Sequence, residues 1–134
     1  MTQAYAATPT GNGERLPEAV INDLIRGLQR HPTTILFLAY IEERPAGIAT
    51  CFLGFSTFTA RQLLNVHDLA VLEEYRGQGI SRALLEKVET TARELGCSRI
   101  TLEVQEHNTR ARKVYASAGF EGTNGGTYFC TKHL

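Results

Sequence analysis

The sequence predicts a mixed α/β fold with one dominant sheet. Three observations support this. Two apolar runs, Ile35 to Ile41 and Ala46 to Phe55, are joined by the turn-like Glu42-Glu43-Arg44-Pro45. Apolar residues recur at helical spacing in two separate stretches. Between those stretches, a strand-like segment ending in Asp68-Leu69-Ala70-Val71 passes through a glycine-rich turn into the second helix.

Residues 1 to 13 show no periodicity and are expected to be a flexible tail, leaving 14 to 134 as a single domain. Leu16, Val20, Leu24, Ile25 and Leu28 define a first helix, with Pro17 near its start and Pro32 past its end. The two apolar runs then form a hairpin of largely buried strands, and a third strand follows from about Leu63 to Val71. Ile80, Leu84, Val88, Ala92 and Leu95 share one face of the next helix, and Gly96 stops it. From Ser98 to Val104, Ile100, Leu102 and Val104 alternate with Thr101 and Glu103, which predicts a strand. Asn108 can cap a short helix carrying Ala111, Val114, Tyr115 and Ala118, ended by Gly119. A last strand is expected over Thr127 to Thr131.

Bulk properties exclude several functions. A chain of 134 residues with 43% hydrophobic content can bury a real core. Its 14 basic and 14 acidic residues balance, so no global field favours nucleic acid or an anionic membrane. The apolar run Ile35 to Ile41 is far too short to span a bilayer. Cys51, Cys97 and Cys130 have no C-x-x-C partner and no His pair at ligand spacing, so no metal site is expected and the thiols read as small buried residues in a reducing compartment. Without a secretory signal, the cytoplasm is the default location.

The chemistry concentrates at Arg76-Gly77-Gln78-Gly79-Ile80-Ser81-Arg82. A glycine turn opening a helix presents unpaired backbone N–H groups and the positive dipole end together, which suits phosphate. The plainer reading is a tight strand-to-helix turn. A nucleoside-triphosphate loop would need Lys followed by Ser or Thr where Ile80 and Ser81 stand, and a dinucleotide loop would need a small residue at Arg82.

These residues resemble the pyrophosphate loop of the GCN5-related N-acetyltransferases, with Arg76, Gly79 and Ser81 at its pattern positions; Ser81 stands where the family has Gly or Ala. Downstream, Leu102-Glu103-Val104 followed by Asn108, Ala111, Tyr115 and Gly119-Phe120 is similar to the family's second signature. The resemblance covers residues 64 to 121. It implies the acyl-CoA N-acyltransferase fold, a mixed, largely antiparallel sheet that splays open, flanked by helices and here shortened at the N-terminus. It also implies acetyl-coenzyme A as the acetyl donor, bound by Leu69 to Val71, residues 76 to 82, and Asn108.

Transfer of acetyl to an amine needs a proton acceptor for an ammonium of pKa ~10.4 and a proton donor for the departing thiolate. By resemblance Tyr115 is the general acid and Glu103 the base, although Tyr115 also fits a core stripe and alternation alone puts a polar residue at 103. His67 and Asp68, at the strand end just before the cofactor segment, form a competing pair for substrate contact or proton relay. The basic run Arg110, Arg112 and Lys113 reads as a solvated face. The leading expectation is direct acetyl transfer to a primary amine, on a small molecule or peptide, in a ternary complex. The alternatives are a non-catalytic acyl-coenzyme A sensor or partner-binding module, and a phosphate-binding module unrelated to coenzyme A. Loops at 54 to 62 and 121 to 127 are expected to line the acceptor site, and an exposed apolar edge would favour a homodimer.

Overall fold

A computed structural model describes residue 2, residues 14 to 122 and residues 130 to 133. Helix α1 spans Glu18–Arg30 and is followed by strands β1 (Thr34–Ile41), β2 (Arg44–Ser56) and β3 (Arg61–Val71). A short 3-10 turn, Glu73–Tyr75, leads into α2 (Ile80–Glu94), then β4 (Ile100–Leu102) and α3 (Thr109–Ser117). The four strands form one sheet in the order β1-β2-β3-β4. The first two pairings are antiparallel and β3 pairs β4 in parallel, so the sheet is mixed, as expected.

Glu42 and Glu43 form a two-residue hairpin turn with φ of 46° and 65°, the left-handed region that a type I′ turn demands. Arg44 and Pro45, expected in the turn, are already in β2. Pro45 lies opposite Tyr40 where the β1–β2 register shifts, and a bulge is one of the few sheet positions that tolerates a residue without an N–H.

Helix α2 supplies the core. Ile80, Leu84, Val88 and Ala92 are buried on the face that the periodicity predicts, Leu85 is buried as well, and Leu95, expected on that face, is exposed. The first four pack with Ala46, Ala49 and Cys51 of β2 and Leu64 and Val66 of β3. A Cβ built at Gly47 would stand 2.9 Å from Ile80 Cγ2, so this glycine lets the first turn of α2 press onto β2. That contact fixes where the N-terminus of the helix points.

Several expectations need correction. Strand β1 is only half-buried, with Leu36, Leu38 and Tyr40 exposed on one face, and α1 buries no residue fully. Of the cysteines Cys51 alone is buried; Cys97 is intermediate and Cys130 exposed. Strand β4 spans Ile100–Leu102 instead of Ser98 to Val104, because its pairing with β3 runs only from Leu64↔Ile100 to Val66↔Leu102. The tail over 1 to 13 (apart from residue 2), the turn at Gly125-Gly126, and most of the 121 to 127 loop and of the last strand lie outside the described residues.

Candidate active site

The site begins where β3 and β4 part. Beyond Val66↔Leu102, β3 runs on to Val71 with no described strand on that side, while the chain after Leu102 leaves the ladder. His67 is the extra residue of a β-bulge, since Thr50 opposes Asp68 while Cys51 opposes Val66. Bulges bend a strand and re-aim its side chains. This one falls at the point of divergence.

Past the bulge, backbone groups alternate between β2 and the open side. Leu72 donates its N–H to the Ala46 carbonyl at 2.9 Å, and Ala70 stands opposite Ile48 in the same register. By that alternation Leu69 and Val71 turn their N–H and C=O groups away from β2, into the gap. The Val71 carbonyl accepts a hydrogen bond from Arg76 Nε at 3.3 Å, which ties the loop to the strand end. Nothing in the motif announced this side-chain contact.

The loop that follows turns on two glycines. Gly77 and Gly79 have φ of 80° and 81°, and Gly79 is the N-cap of α2 with no side chain capping it. A Cβ at either glycine would meet nothing within 4 Å, so it is backbone conformation, and not crowding within the chain, that requires them. Ala83 donates to the Gly79 carbonyl at 3.0 Å; among the described residues the N–H groups of 77 to 82 donate to no main-chain acceptor. Such a row at the N-terminus of a 15-residue helix is a fit for phosphate oxygens. No acidic residue occupies the first turn of α2. Arg82 is drawn along the helix to Glu86 at 3.0 Å, and Gln78 Nε2 reaches the Glu74 carbonyl at 3.4 Å.

Three candidate proton-handling groups stand near the point where β3 and β4 part. Asp68 is half-buried, and burial raises its pKa above the ordinary aspartate value while His67 pulls it back. The His67 ring is exposed and stands edge-on to Phe52, with centroids 5.5 Å apart. Glu103, one residue beyond β4, is exposed. Cys51 lies next to Asp68 across the pair, yet its thiol is pushed up to about 12, first by burial and then by the Asp68 charge. Both causes disfavour the thiolate, the nucleophilic form of the side chain.

Helix α3 carries the second motif. Asn108 caps it, its Oδ1 accepting from the Ala111 N–H at 3.2 Å. Tyr115 is half-buried with its ring edge-on to Phe120 at 5.9 Å. Among the described residues no group of three His, Cys, Asp or Glu side chains is arranged to hold a metal ion, and no helix is long and apolar enough to cross a membrane.

Comparison with known proteins agrees with this geometry. The model of the Acetyltransferase (GNAT) family matches residues 1–120. An uncharacterized N-acetyltransferase of Bacillus subtilis, YycN, is 29% identical over 92% of this chain and 83% of its own length. Thialysine N-epsilon-acetyltransferase of Bos taurus is 36% identical over 54% of this chain, a match that spans 42% of that enzyme. The fold is shared with an aminoglycoside acetyltransferase from an uncultured soil metagenomic sample, at a TM-score of 0.79 and 19% identity over 98% of this chain and 86% of that one.

Proposed function

We propose, for a chain that belongs to the GNAT acetyltransferase family, that it moves acetyl from acetyl-coenzyme A to a primary amine by direct transfer in a ternary complex. One observation carries the reading: a row of unpaired N–H groups at 77 to 82 stands beside a β3 edge that has lost its neighbour. Diphosphate oxygens suit the first element, and an extended amide-bearing arm suits the second, pairing with Leu69 and Val71 as an added strand. Acetyl-coenzyme A supplies the acetyl group as a thioester.

The residues then divide the work. An N–H on the 69 to 71 edge polarises the thioester carbonyl. Asp68 accepts a proton from the incoming ammonium, its burial bringing it nearer to neutral pH than an ordinary aspartate, with Glu103 as the second carboxylate at the mouth. As the amine nitrogen bonds to the acetyl carbon, the carbon–sulfur bond breaks, Tyr115 gives its phenolic proton to the leaving thiolate, and the second proton shed by the acylated nitrogen restores the phenol. Asn108 holds the start of α3 and so positions Tyr115. His67 lines the approach of the acceptor.

The test is labelled acetyl-coenzyme A supplied with a panel of amines, comparing the wild type with Tyr115→Phe. Acceptor-dependent release of coenzyme A, strongly reduced in the variant, supports the enzyme. Tight binding of the cofactor with no turnover of any amine would replace this reading with a non-catalytic acyl-coenzyme A sensor.

A further inference from the structure

A groove of about 780 Å³ runs between α1 and the sheet. Its helical wall is the face bearing Val20, Asp23, Leu24 and Leu28, and its floor includes Phe52 and Leu53. The groove reaches the proposed reaction centre through one ring: Phe52 meets His31 edge-on at 4.9 Å and His67 at 5.5 Å. His67 immediately precedes Asp68. Asp68 stands opposite Thr50, which shares its face of β2 with Phe52, so a molecule lying along the groove with its amine beyond Phe52 is directed toward the carboxyl proposed to receive the proton.

The lining sets the chemistry of that molecule. Among the described residues that line it, Asp23 is the one carboxylate in a wall of otherwise apolar, small or neutral side chains, with His31 at one end. A polyamine or aminoglycoside would lay ammonium and hydroxyl groups against Val20, Leu24, Leu28, Phe52 and Leu53, side chains that offer them no acceptor, with Asp23 able to pair with one. An apolar body matches those side chains and covers Val20, which is 45% exposed. The geometry points to an acceptor that is a small primary amine carrying an aromatic or branched alkyl body, drawn in by Asp23 and seated against Phe52. This inference rests on the amine-acceptor reading above.

Gly27 offers a selective test, because it lies on the helical wall and a Cβ there meets nothing within 4 Å. kcat/KM is measured for phenethylamine, isoamylamine, ethylamine, spermidine and kanamycin. Phenethylamine and isoamylamine are expected to exceed spermidine and kanamycin at least tenfold. In Gly27→Leu the ratio of phenethylamine to ethylamine is expected to fall at least tenfold, and Val20→Phe, an independent obstruction at an exposed position, is expected to lower it too. Preference for spermidine or kanamycin, or an unchanged ratio in either variant with a wild-type thermal midpoint, overturns the inference while leaving acetyl transfer intact. Absence of transfer to every amine overturns the enzyme reading and this inference with it.

Discussion

Asp68 of β3 stands directly opposite Thr50 of β2, one residue past the bulge at His67, and this is where a half-buried carboxyl meets the open end of the sheet. Burial raises its pKa, so the native state holds that proton more tightly than the unfolded chain does. The sign follows: below the unfolded value of 3.8 the group contributes nothing, and as pH rises toward and past its folded value the ionised carboxylate costs stability. Asp68→Asn is expected to show an unchanged or higher thermal midpoint at pH 7, an advantage that shrinks as pH falls. Its kcat/KM is expected to drop by about 10²-fold, within the usual range for general base catalysis. In the wild type, the acidic limb of the kcat/KM profile is expected above the ordinary aspartate range, and Glu103→Gln is expected to leave that limb in place.

Tyr115→Phe keeps the ring that packs edge-on with Phe120 and removes only the hydroxyl. As the proton donor to the thiolate, its loss is expected to lower kcat by about 10²-fold or more. Calorimetric affinity for acetyl-coenzyme A should stay within twofold. A wild-type kcat would remove Tyr115 from the chemistry.

Gly79→Ala places a side chain at φ 81°, where the cost is conformational because a Cβ has open space around it. Urea denaturation is expected to show a loss of about 1–2 kcal/mol. Because the same residue opens the N–H row, KM for acetyl-coenzyme A is expected to rise at least tenfold.

The Glu42-Glu43 turn is strained in the opposite sense, two non-glycine residues standing where a type I′ hairpin favours Asn-Gly. Replacing the pair by Asn-Gly is expected to raise unfolding free energy by about 1–2 kcal/mol without changing kcat/KM.

Leu64 is fully buried beneath α2, whereas Ile25 on α1 is 59% exposed. Leu64→Ala is expected to cost about 2–5 kcal/mol in chemical denaturation and Ile25→Ala less than ~0.5 kcal/mol. The contrast separates the packed core from the helix that borders the groove.

These residues also show how far a sequence can be read. Helix α2 and its loop were legible because apolar periodicity and paired glycines are local signals, and Asn108 was legible as a cap for the same reason. The hairpin was legible too, although Arg44 and Pro45 were assigned to the turn instead of β2. The alternation predicts β4 over Ser98 to Val104, two residues too long at each end; it continues through Glu103 and Val104 after β3 has turned away at His67, and a strand's length depends on its partner. The exposed face of β1 and the unburied α1 escaped notice for a related reason: amphipathic patterning marks an apolar face without revealing what covers it. The meeting of His31, Phe52 and His67 joins three distant segments, and no local pattern announces it.

The central claim is that the N–H groups of residues 77 to 82 and the free edge at Leu69 and Val71 together grip coenzyme A. An amide-resolved NMR titration with coenzyme A tests it directly. The account predicts saturable shifts concentrated at Gly77, Gly79, Ser81, Leu69 and Val71, with slowed hydrogen exchange at the same amides. Binding that shifts other amides and leaves these unmoved, or no binding at millimolar coenzyme A, would contradict it.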